Sequence, residues 1–140
     1  MPDARELCNK AVELAEQGKY DEAIQLMDSV IKIDANNATA WHNKGIIQYK
    51  QGRYLDAVNS FGQAADIDPG YIEAWYNKGI ALAGLGKYLE AIRAFDKVLS
   101  VNKKDQQARH ERDLALKKIS GLYKVPSDIH DQTQQTKLFR

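Results

Sequence analysis

At 140 residues the chain is long enough to bury the core of one domain, and its 44% hydrophobic and 28% charged residues match a water-soluble globular protein. The formal net charge of +1, made up of −2 over residues 1–105 and +3 over residues 106–140, gives no reason to expect a nucleic-acid or anionic-membrane partner, and the asymmetry is too weak for a basic binding tail. A single cysteine, Cys8, cannot close an internal disulfide, no apolar run approaches the roughly 20 residues of a bilayer span, and the charged start MPDARELCNK has no signal-peptide core, so a cytoplasmic location is expected.

Taken in chain order, the elements repeat. The first half of residues 4–37 reads as a helix that must stop at Gly18, and Tyr20–Ile33 reads as a second helix, with apolar residues at three- and four-residue steps. The same pair returns as Ala38–Gln51 with Tyr54–Ile67, and again as Ile72–Leu85 with Tyr88–Val101. Gly18, Gly52 and Gly86 are 34 residues apart (52 − 18 = 86 − 52 = 34), each two residues before Tyr20, Tyr54 or Tyr88. Glycine at those points allows the left-handed turn that ends a helix. Ala23, Ala57 and Ala91 keep the interval, as do Met27, Phe61 and Phe95, and then Val30, Ala64 and Val98. The segment AWHNKGI at residues 40–46 recurs as AWYNKGI at 74–80, which puts Trp41 with Gly45 and Trp75 with Gly79; the first unit has Leu7 and Ala11 there. Close approach of the two helices of a hairpin is expected where Gly45 faces Ala57 and Gly79 faces Ala91.

After Asp105, a plausible N-cap, residues 106–121 read as one further helix, whose narrow apolar stripe suits a helix with one face on its neighbour and the rest in water. Residues 122–140 form a polar C-terminal tail, interrupted by Pro126 and carrying one apolar pair, Leu138-Phe139.

This pattern, Trp41, Gly45, Ala57, Phe61, Ala64 and Pro69 with its echo Trp75, Gly79, Ala91 and Phe95, resembles the tetratricopeptide repeat over residues 4–105. Two places depart from it: the first unit lacks the Trp and Gly, and Lys103 stands where the family favours proline. The resemblance implies an all-α fold, a right-handed α-solenoid of three helix-turn-helix repeats (4–37, 38–71, 72–105) with a C-terminal capping helix, together forming one domain over residues 1–121. It also implies a protein-interaction scaffold whose first helices line a concave groove for a peptide or partner helix.

Within that groove Asn9, Asn43 and Asn77 share one register, each followed by a lysine. An amide offers both donors and an acceptor to a bound main chain; the same residues could equally satisfy groups between hairpins. Spacing adds Arg5, Val12, Thr39, His42, Ile46, Lys50, Glu73, Tyr76 and Ile80 to the groove, with His42 either lining it or exposed. Family members that clamp an acidic chaperone C-terminus use several cations; the corresponding places here hold Cys8, Val12, Glu73 and Asn77 in one register, or His42, Ile46, Gln107 and Glu111 in the other. The ligand expected is therefore a protein or peptide of low net charge with apolar anchors. Self-assembly into a homo-oligomer, through the tail or the ends of the array, is the alternative. No catalytic constellation, phosphate loop, metal-ligand spacing or cofactor motif is present, so no enzyme, metal or cofactor is expected: the glycines around Gly84 lack the Gly-Lys-Ser/Thr ending of a phosphate loop, and His42 and His110 lie two units apart.

Overall fold

Seven α-helices follow one another in residues 2–122, the part of the chain that the computed structural model describes: α1 (Ala4–Glu16), α2 (Tyr20–Ile33), α3 (Ala38–Lys50), α4 (Tyr54–Ile67), α5 (Ile72–Gly84), α6 (Tyr88–Val101) and α7 (Gln106–Leu122). The tail and its Leu138-Phe139 pair lie outside the described residues.

The repeat extends into details of the turns. The helix pairs α1/α2, α3/α4 and α5/α6 are each joined through a glycine with positive φ: Gly18 at 79°, Gly52 at 79° and Gly86 at 77°. A Cβ on Gly86 would meet nothing within 4 Å, so only the backbone conformation forbids a side chain there. Gly86→Ala should therefore cost about 1–2 kcal/mol of unfolding free energy, the strain of a left-handed L-residue, read by thermal denaturation. Between hairpins, Asp34, Asp68 and Asn102 each accept the backbone N–H two residues on, from Asn36, Gly70 and Lys104. Trp41 and Trp75 donate their indole N–H to the carbonyls of Ala35 (2.9 Å) and Pro69 (3.3 Å), and the guanidinium of Arg109 does the same for Lys103. The loop carbonyl is thus held by whichever long donor occupies that register.

N-caps follow the same interval with one exception. Asp3 forms a capping box with Glu6, Asn37 accepts from the N–H of Ala40, and Asp105 accepts from that of Ala108. The fourth place is Tyr71, which gives α5 no side-chain cap. A cap is worth about 1 kcal/mol, and the tyrosine is used otherwise, as the site shows.

Each second helix packs only on the first helices that flank it, whereas α1, α3, α5 and α7 also touch in succession. Closer spacing on the first-helix side makes the array curve toward that side, which is its inner face. The core between the layers is the register of Met27, Phe61 and Phe95, all fully buried, with Ala23, Ala57 and Ala91 beside them.

Gly45 and Gly79, within first helices, each have an aromatic ring as nearest neighbour. A Cβ on Gly45 would lie 2.6 Å from the ring of Phe61, and one on Gly79 would lie 2.6 Å from the ring of Phe95. What each of these glycines makes room for first is an aromatic ring of the following helix. Phe61 and Phe95 stand one turn beyond Ala57 and Ala91, and their length carries the ring to the glycine. Gly62, inside α4, has no such occupant: only the ammonium of Lys78 comes near, 3.7 Å from a Cβ built there. An interior glycine costs about 1 kcal/mol relative to alanine, and at Gly62 no packing offsets it.

Candidate functional site

With 3.6 residues per turn, Thr39, His42, Asn43, Ile46 and Lys50 share one side of α3, and Trp41, Lys44 and Gln48 share the other. The former set points to the inner face, as do Glu73, Tyr76, Asn77 and Ile80 of α5 by the same register. Arg5, Asn9 and Val12 occupy the corresponding side of α1 and are exposed. Along this face one apolar residue recurs per first helix: Val12, Ile46, Ile80 and Leu114. Val12 and Leu114, at the ends, are each 41% exposed, and the two isoleucines between them are half-buried.

Between α3 and α5 the face deepens into a cavity of about 220 Å³ lined by Ile46, Tyr49, Lys50, Phe61, Asn77 and Ile80. Four of these six come from the sequence-based set. Tyr49 and Phe61 do not: Phe61 belongs to the core, and its ring, lying across Gly45, also lines this cavity. Tyr49 stands where the neighbouring repeats have Ala15 and Ala83, a small-large-small signal that marks a local bulge in the wall. Its ring lies 4.9 Å from that of Tyr54, which fixes it.

His42 lies on this inner side of α3 but is buried, 8% exposed, so it does not stand in solvent. Its Nδ1 lies 3.0 Å from the hydroxyl of Tyr71 and its Nε2 lies 2.9 Å from the amide nitrogen of Asn77. With that nitrogen donating to Nε2, the neutral imidazole carries its proton on Nδ1 and donates to Tyr71. Burial pushes the His42 pKa down, while the charge of Glu73 acts in the opposite direction without offsetting it. Burial likewise pushes the Tyr71 hydroxyl up, while its hydrogen bond with Thr39 acts the other way. Tyr71 has given up the N-cap place to complete this network.

The asparagines of the ladder therefore differ in what they hold. Asn77 reaches back 35 residues to His42. Asn43 reaches back the same interval (43 − 8 = 35) to the buried Cys8, whose thiol burial pushes up and the Asn43 hydrogen bond pulls down. The next rung is Glu111, whose charge, after burial, raises the hydroxyl of Tyr76 (111 − 76 = 35). Asn9, on α1, is exposed. Cys8 is thus a buried neutral thiol. Among the described residues no group of three or more His, Cys, Asp or Glu is placed to hold a metal.

Comparison with known proteins matches two family models, described as TPR repeat over residues 12–52 and as tetratricopeptide repeat over residues 43–109. The second TPR of Spaghetti (RPAP3), solved with the HSP90 peptide SRMEEVD, is 30% identical over 69% of this chain and 89% of that one, with a TM-score of 0.65. The chain belongs to the tetratricopeptide repeat family. Two further similar folds are the second TPR domain of human RPAP3 in complex with the HSP70 peptide SGPTIEEVD (26% identity, 81% of this chain and 98% of that one, TM-score 0.74) and the first TPR of Spaghetti with SRMEEVD (24%, 84% and 95%, 0.78). No curated protein matches the sequence.

The inner face of this tetratricopeptide repeat array carries both signs of charge. Arg5 lies near one end, Lys50 borders the cavity, and Glu73 opens α5. No helix among the described residues is long and apolar enough to cross a membrane.

Proposed function

We propose that the protein is an interaction scaffold that binds a peptide or partner helix, of low net charge and with apolar anchors, along the inner face of its first helices. The observation that carries this reading is the cavity between Ile46 and Ile80, a pocket for one apolar side chain on a stripe that continues to Val12 and Leu114. The similar TPR domains that hold chaperone peptides support a binding role for such a face. Their peptides end in the acidic run EEVD. Here Glu73 would repel such a terminus, Cys8 and Val12 are uncharged, and Asn77 is neutral and already engaged by His42. Charge therefore favours a different, apolar ligand.

The engaged amide also limits what the ladder can do for a ligand. With the Asn77 nitrogen on His42, its carbonyl oxygen is the part left for the groove, an acceptor suited to a peptide N–H. Capture from native cell extract, read by mass spectrometry, should recover a partner with the wild-type chain. An Ile46→Asp/Ile80→Asp variant that keeps its helical circular dichroism should lose that partner. Equal capture by both proteins would move the binding site off this face.

A further inference from the structure

The side of the array opposite the groove has its own repeated contact. Asp28 of α2 pairs with Lys44 of α3 at 2.7 Å, and two units further on Asp96 of α6 pairs with Arg112 of α7 at 2.5 Å. Both pairs span 16 residues (44 − 28 = 112 − 96 = 16) and tie a second helix to the first helix that follows. The middle rung is residue 62 with Lys78, and residue 62 is glycine. The cation is kept and the acid is missing.

Lys78 still points to the vacant place. Its ammonium stands 3.7 Å from where a Cβ of residue 62 would be, and 5.4 Å from the centre of the Trp75 ring. Lys97 places a second ammonium 5.8 Å from the same ring. Neither lysine makes a salt bridge among the described residues, and Lys78 is half-buried. A hollow of about 590 Å³ opens over Gly62, bordered by Lys44, Gln63 and Lys78. Two acids also line it: Asp56 is held by Arg53 at 2.7 Å, and Asp66 stands one turn along α4 from Gly62 without pairing to Lys78. Unlike Gly45 and Gly79, Gly62 admits no ring of this chain.

We infer that the notch over Gly62 is a second docking site, which receives a glutamate or aspartate side chain of a partner protein against Lys78. The incoming carboxylate completes the missing rung, taking the place that Asp28 and Asp96 occupy from within the chain. Glycine leaves the room, the indole of Trp75 holds the ammonium in position, and Lys97 adds to the attraction. The site is separate from the inner face, so it stands or falls independently of the groove.

An end-blocked tetraglutamate peptide, titrated to millimolar concentration against isotope-labelled protein, tests this by NMR. The indole N–H of Trp75 and the side-chain amide of Gln63 should shift. Lys78→Gln should weaken the effect about fivefold, the size of one exposed to half-buried ion pair. Gly62→Asp should abolish it and raise the melting temperature by closing the rung internally, whereas Gly62→Ala should raise the melting temperature and leave binding intact. Absence of shifts at Trp75, shifts unchanged in Lys78→Gln, or equal shifts from inorganic phosphate would each overturn the assignment. The Ile46→Asp/Ile80→Asp variant should bind the peptide as the wild type does.

Discussion

Gly45→Ala should destabilise the protein by about 1–3 kcal/mol, the range for overpacking a filled core, even though alanine is the better helix former. Two effects oppose each other. Removing an interior glycine from α3 gains about 1 kcal/mol of helix propensity. The new methyl, however, would sit 2.6 Å from Cε1 and 2.7 Å from Cδ1 of Phe61. That ring is 1% exposed and lies 5.6 Å from the imidazole of His42, so it can give way only toward the groove cavity it lines, and only by losing its packing across Gly45. Sterics win because the neighbour is a rigid ring whose displacement would forfeit core contacts, not the free end of a long side chain.

The test is a double-mutant cycle. Phe61→Leu alone loses buried area and opens a void. In the Gly45→Ala background the same change relieves the clash, so the pair should be less unstable than the sum of the singles by about 0.5–3 kcal/mol. Urea denaturation followed by the fluorescence of Trp41 and Trp75 reads each term. Strict additivity would mean that Gly45 and Phe61 do not meet as described. The loss should be cooperative, since the middle hairpin touches both neighbours and stability in such arrays depends on nearest-neighbour interfaces.

How this contact escaped the sequence is instructive. The 34-residue interval states which positions are equivalent, and from it the seven helices, their glycine stops and the inner-face register can all be placed. It does not state which position on one helix meets which on the next. Gly45 meets Phe61 at a separation of 16, Asp28 meets Lys44 at the same separation, and Asn77 meets His42 at 35. Those offsets are set by crossing geometry and side-chain reach, which periodicity does not encode. A residual signal existed in each case. Position 37 is Asn and position 105 is Asp, so Tyr71 in that register breaks a capping series and marks the junction that, among the described residues, holds a buried histidine network. Acids at 28 and 96 with glycine at 62 mark the interrupted ion-pair series in the same manner. Departures from the repeat, more than the repeat itself, point to the places where this chain is specialised.

Acid should loosen the array through that same junction. Burial lowers the pKa of His42 from its ordinary 6.5. Below the unfolded value the unfolded chain takes up a proton that the folded chain refuses, so stability falls as the pH drops from 6.5 toward the depressed folded value, and His42 adds nothing further beyond it. Above the unfolded value its contribution is flat. Protonation puts a second N–H on the ring, facing the Asn77 amide nitrogen across 2.9 Å, donor against donor. Urea midpoints between about pH 7.5 and 5.5 should decline more steeply for the wild type than for His42→Gln, which lacks the buried imidazole at this junction. Asn77→Ala should cost about 1–3 kcal/mol at neutral pH by leaving Nε2 buried without a partner. Asn77→Asp makes the decisive comparison: a carboxylate beside the imidazole raises its pKa, so the decline with acid should shrink or reverse. A slope unchanged in Asn77→Asp would mean that His42 is not the titrating group. Because Asn77 also lines the groove cavity, a change in the side of its amide that meets His42 changes the side that meets a ligand. Partner capture and stability should then respond to pH together in the wild type, and not in His42→Gln.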